Sequence, residues 1–128
     1  MYKLSILFRN PPDLAKFEHD WAHTFVPFAE AMLGILRVEV STIDGGPDGS
    51  AEFHKIHELY FESRAAMDRA MNSEKGTRAG MALNALAPDL FVILFSEVHE
   101  DIVRPGGQLP EAPALLTPKD GPPESHGL

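Results

Sequence analysis

One short segment, Phe53 to Phe61, carries histidine, carboxylate and phenol at alternate positions. Strand alternation would place His54, Ile56, Glu58 and Tyr60 on one face and Lys55, His57, Leu59 and Phe61 on the other. Same-face neighbours on a strand stand about 7 Å apart, so a small molecule could bridge them. An imidazole and a carboxylate in an apolar pocket suit general acid–base chemistry, because desolvation lifts a glutamate pKa towards neutrality. His54, Glu58 and Tyr60 are therefore the catalytic candidates. The competing reading of the same face is a polar dimer interface satisfied by cross-subunit hydrogen bonds. His57 is expected at a strand edge or against a helix.

Arg37, with Glu39 and Ser41 on the polar face of a preceding strand, could clamp a substrate carboxylate bidentately or simply pair with a neighbouring acid. Trp21 and Phe25, with Phe28, could wall an aromatic substrate pocket; at helical spacing they also suit a core stripe. His19 and His23 are four apart, a spacing that can hold a metal. No third ligand and no H-E-x-x-H pattern accompanies them, so they are read as solvent-facing and no metal site is assigned. Gly45-Gly46-Pro47-Asp48-Gly49 contains proline and opens no helix, so it is not a phosphate loop. No cofactor is assigned.

The elements that must position these residues follow from periodicity. Tyr2 to Phe8 alternates as a strand, with Leu4, Ile6 and Phe8 on one face. Asn10-Pro11-Pro12-Asp13 breaks it and opens a helix whose apolar stripe is Leu14, Phe17, Trp21, Phe25, Phe28 and Met32. Pro27 lies inside that helix and deprives the His23 carbonyl of its donor, so a kink is expected there, with Gly34 ending the helix. Strand two is Ile35 to Ile43 and strand three about Phe53 to Phe61. Ser63 caps a helix bearing Met67, Ala70 and Met71, and a short helix runs from Glu74 to Ala82. Strand four, Leu90 to Val98, is apolar on both sides and reads as a central strand covered on both faces. The order is β-α-β-β-α-β. That makes an α+β, ferredoxin-like split βαβ fold with a four-stranded antiparallel sheet and both helical regions on one face. The other sheet face needs a cover, and a second copy supplies one: a homodimer is expected.

A length of 128 residues suits one domain. That domain is taken as 1–103, followed by a Pro/Gly-rich tail, 104–128, with six prolines that forbid most regular structure. The net charge of −8 argues against nucleic acid as a partner. No stretch approaches the roughly 20 apolar residues of a membrane span. The absence of cysteine removes disulfides and thiolate chemistry, and a cytoplasmic location is expected.

Several local motifs occur in a telling order: the Asn10-Pro11-Pro12-Asp13 break, Phe17 and Trp21 ahead of Pro27, Gly34-Ile35-Leu36-Arg37-Val38-Glu39-Val40-Ser41, the run from His54 to Ser63, and Ser73-Glu74-Lys75-Gly76. Together, over about residues 2 to 100, they resemble the EthD-like family of dimeric α/β-barrel proteins. The resemblance implies a dimer and a small-molecule pocket between sheet and helix. It also brings in relatives that are cofactor-free decarboxylases or dehydratases, and neighbouring families of monooxygenases, haem proteins and isomerases. The family usually has a histidine two residues before the helix proline. Here that residue is Phe25, and His23 lies about 200° around the helix from it. Three functions are therefore carried forward. One is a cofactor-independent lyase or isomerase acting on a small, partly apolar compound. A second is a non-catalytic ligand-binding or accessory module. The third is a haem-handling or monooxygenase-type protein, with His57 or His23 as axial ligand.

Overall fold

The computed structural model describes residues 1–103; the tail expectation for 104–128 lies outside the described residues. The chain divides at Val98/His99, and the unit Met1–Val98 holds every strand and helix described below. Strand β1 is Tyr2–Arg9. Asp13 accepts a hydrogen bond from Lys16 N at 3.1 Å and so caps helix α1, Leu14–Asp20. After a π-helical turn, Trp21–Phe25, comes the short helix α2, Val26–Ala29. Then come β2 (Arg37–Thr42), β3 (Phe53–Phe61), α3 (Arg64–Met71), α4 (Glu74–Leu86) and β4 (Phe91–Glu97). The sheet is antiparallel throughout, in the order β2-β3-β1-β4. This is the ferredoxin-like α+β arrangement that the periodicity implied.

The core lies between the sheet and the helices. Leu4, Ile6 and Phe8 of β1 stand opposite Phe95, Ile93 and Phe91 of β4, and Leu4 and Ile6 stand opposite Leu59 and His57 of β3. Phe17, Phe25, Ala29, Met67, Ala70, Ala79 and Leu83 close over them.

Three expectations need correction. β4 is an edge strand, not a central one: among the described residues it pairs with β1 alone. Ile93 is 38 %, Leu94 50 % and Phe95 42 % exposed, so the apolar character of β4 exceeds what the described residues cover. The first helical region ends at Ala29, before Gly34, which instead serves a turn at φ +95°. The last helix runs four residues further than expected, to Leu86. The distortion at Pro27 takes a specific form. Val26 N bonds Trp21 O, five residues back, so the helix widens to π geometry one turn ahead of the proline.

α3 and α4 meet at a close approach that only glycine permits. Ser73 caps α4 by accepting from Gly76 N at 3.2 Å while its hydroxyl donates to Ala70 O at 2.6 Å. A Cβ on Gly76 would press into the carbonyl oxygens of Ala70 and Met71. Those are backbone atoms and yield only if the two helices part. Gly76→Ala is therefore expected to destabilise the domain by roughly 1–3 kcal/mol, despite the better helix propensity of alanine. Denaturant unfolding checks this, and an unchanged midpoint would contradict the close approach.

Candidate functional site

β3 presents two polar groupings on opposite faces of the sheet. On the face away from the helices, Glu58 is held by Lys3 Nζ at 2.7 Å and accepts from Ser5 Oγ at 3.2 Å. The Glu58 hydrogen bond, outweighing a small desolvation, holds the Lys3 ammonium above the ordinary lysine pKa. The buried Tyr60 donates its hydroxyl proton to Glu39 at 2.8 Å, and the Arg37 guanidinium lies 4.1 Å from its ring centre while pairing with Glu39 at 3.4 Å. Each member of this network meets a partner within the chain.

His54 does not join it. Between Phe8/Arg9 of β1 and β3 the register slips: Lys55 stands opposite Phe8 and Phe53 opposite Arg9, leaving His54 as the extra residue. Such a bulge breaks alternation. His54 turns to the helix side instead, where its Nε2 donates to Glu18 Oε2 at 2.6 Å and its ring meets Phe17. The expected shared face of His54, Glu58 and Tyr60 is thus not what the backbone produces. The first lies on the helix side, and the other two sit in the network on the far face.

The second grouping, on the core face, was not singled out by sequence reasoning. Lys55, 2 % exposed, reaches Glu18 Oε1 at 2.9 Å and lies 3.4 Å from the Trp21 ring centre. One carboxylate therefore serves both His54 and Lys55. Burial raises the Glu18 pKa, but the hydrogen bonds from His54 and Lys55 outweigh it and bring the net value below the ordinary one. Two residues on, His57 is fully buried. Its Nε2 donates to Glu30 Oε2 at 3.0 Å, while Trp21 and Phe25 approach its ring edge-on at 5.4 and 5.7 Å. The π-helical turn brings Trp21 and Phe25 onto one histidine. The signal in the sequence was His57 itself, a titratable ring sharing the face of Leu59 and Phe61. Its partner Glu30 sits 27 positions away and carries no spacing cue.

Of the two histidines named as haem ligands, His57 is fully buried with its Nε2 on Glu30. His23 faces solvent, stacked on His19 at 4.3 Å with its Nδ1 against the His19 carbonyl. Among the described residues no three His, Cys, Asp or Glu side chains cluster as metal ligands.

Beyond Phe25 lies a cavity of about 280 Å³ between the sheet and α4. Leu4, Ile6, Leu59 and Ile93 form its floor, Phe25, Ala29 and Met32 one wall, and Gly76, Thr77, Ala79, Gly80 and Leu83 the other. No ionisable side chain lines it. Of the sequence candidates only Phe25 does; Trp21, Arg37, His54, Glu58 and Tyr60 stand elsewhere.

Burial pushes the His57 pKa down, against the pull of Glu30 and with help from the Lys55 charge. The folded protein therefore keeps this ring neutral at pH values where the unfolded chain, titrating near the usual value of about 6.5, takes up a proton. The unfolded state then binds more protons, so stability falls as pH drops below about 6.5. His57→Gln removes this contribution. Between pH 7 and 5.5 the native protein is expected to lose more stability than the variant, by up to about 1.4 kcal/mol per pH unit. Parallel pH profiles of unfolding free energy would refute the assignment.

No protein-family model matches the chain. The chain is 27 % identical over 108 residues to an uncharacterized 11.0 kDa protein in the thcB-thcC intergenic region of Rhodococcus erythropolis, covering 82 % of this chain and all of that one. It superposes on the crystal structure of an ethyl tert-butyl ether D (EthD) family protein from Bacillus halodurans C-125 with a TM-score of 0.75 and 25 % identity, over 77 % of this chain and 99 % of that one. A dimeric ferredoxin-like protein of unknown function from Jannaschia sp. CCS1 matches at a TM-score of 0.57 and 15 % identity, over 77 % and 100 % of the two chains. The fold, the ordered motifs and these likenesses agree: the chain has the ferredoxin-like fold and resembles the EthD-like proteins.

Proposed function

We propose that this protein is a homodimer that binds a small, neutral, mostly apolar molecule in the cavity between its sheet and α4. The observation that carries this reading is the lining: about 280 Å³ walled by aliphatic and aromatic side chains, with the Thr77 hydroxyl its main polar side-chain group. An ionic ligand would lose its hydration there without a partner. An apolar one gains roughly 25 cal/mol for each Å² removed from water. Phe25, standing where EthD-like relatives usually carry histidine, keeps this wall apolar. Lyase or isomerase chemistry at His54, Glu58 and Tyr60 is the less favoured reading, because none of the three lines the cavity. Their positions suit a second role better. Glu58 and Tyr60 belong to the face that a second copy would cover, together with the exposed Leu94 of β4.

Gly80 offers a direct test. It lines the cavity, and a Cβ there meets nothing within 4 Å. Gly80→Leu therefore fills the space without a backbone clash and improves helix propensity by roughly 1 kcal/mol. Naphthalene, followed by its own fluorescence, is expected to bind the native protein once per chain. It should bind Gly80→Leu at least about tenfold more weakly, although that variant should be no less stable. Equal binding would refute the cavity as the site.

The dimer is tested apart from the ligand. Leu94→Asp places a charge on the face assigned to the partner, and light scattering is expected to show a dimer for the native chain and a monomer for the variant. A native monomer, or a dimer indifferent to Leu94→Asp, would contradict it.

A further inference from the structure

Two buried polar atoms meet no hydrogen-bonding partner among the described residues: Trp21 Nε1 and His57 Nδ1. They belong to rings that touch, with centroids 5.4 Å apart and planes at 66°. A buried polar atom left unsatisfied is destabilising by about 1–3 kcal/mol, so two on adjoining rings in one small core call for a reason.

The chemistry of the two atoms is complementary. The Glu30 carboxylate accepts from His57 Nε2 at 3.0 Å, which places the ring proton on Nε2 and leaves Nδ1 with a bare lone pair. Indole nitrogen can only donate. An oxygen atom that carries a hydrogen satisfies both: it accepts from Trp21 and donates to His57. A hydroxyl does this, as does the water that such a hydroxyl would displace. An ether or ketone oxygen answers Trp21 alone, and a carboxylate would face the His57 lone pair with Glu30 behind it.

Phe25 connects this pair to the cavity. Its ring packs on His57 at 5.7 Å and also forms part of the cavity wall. Phe25 is thus the side chain that touches both the His57 ring and the cavity.

We propose that Trp21 and His57 form a polar subsite, reached from the cavity past Phe25, that receives the hydroxyl group of an apolar alcohol or phenol. This rests on the cavity reading and narrows its ligand class. It also gives a role to the Glu30–His57 pair that packing alone does not require: Glu30 fixes the imidazole tautomer that accepts the ligand's proton.

The experiment compares naphthalene, 1-methoxynaphthalene and 1-naphthol, each followed by its own fluorescence. The native protein is expected to bind 1-naphthol about tenfold more tightly than either of the others, since only its oxygen can accept from Trp21 and donate to His57 together, each contact holding the other in place. In Trp21→Phe, which keeps a ring and removes the donor, the naphthol preference over naphthalene should fall below about threefold. Equal affinity for 1-naphthol and 1-methoxynaphthalene in the native protein would overturn the subsite. So would a tenfold preference that survives in folded Trp21→Phe. Should that variant fail to fold, the native comparison with the methyl ether decides. Failure of naphthalene to bind, or binding indifferent to Gly80→Leu, refutes the cavity reading and the subsite with it. Naphthalene binding without a hydroxyl preference refutes the subsite alone.

Discussion

Two basic side chains on the core face of β3, Lys55 and His57, are nearly or wholly removed from water, and each has to meet a carboxylate there. The carboxylates come from the helical segment that crosses the sheet. Glu18, on α1, takes Lys55, and Glu30, just past α2, takes His57. These two anchors lie at opposite ends of that segment. Between them they set both its position along the strands and its rotation about its own axis. Losing one carboxylate would strand a buried nitrogen, a larger penalty than losing a surface ion pair. The π-helical turn fits between the anchors. An extra residue in the turn lets Trp21 and Phe25 both reach His57 while Glu30 still arrives at its Nε2. Phe25, so placed, becomes the cavity wall.

The sequence carried the element order well and the details of three of them poorly, for physical reasons that differ. β1 and β3 alternate, and alternation follows from one-sided burial; Leu4, Ile6, Leu59 and Phe61 are in the core as their parity implies. β4 lacks alternation, and a continuous apolar run does not distinguish a central strand from an edge strand. Proline announced a distortion near Pro27 but not its kind, because a missing donor can be met by a kink or by π geometry.

The site was harder to read than the fold. A strand-parity argument survives only while the register is regular, and the slip opposite Phe8/Arg9 moved His54 to the other face without any mark in local composition. Glu58 and Tyr60, which kept their parity, settled into pairs with Lys3 and Glu39. The polar core cluster depends on contacts between positions far apart in the chain, Glu18 with Lys55 and Glu30 with His57. Such pairs leave no periodic trace. What the sequence did contain was a histidine on a core face, and burial of that ring is why it matters.

The space beside α4 also affects how the folded protein occupies volume. Protein interiors are packed about as densely as organic crystals, and room of about 280 Å³ in so small a unit is a local departure from that density. Space that water does not fill disappears when the chain unfolds, and to that extent makes the native state the larger of the two and susceptible to hydrostatic pressure. Any part of the hollow that water leaves unfilled makes the native protein compressible, and an occupant that filled it would stiffen the domain.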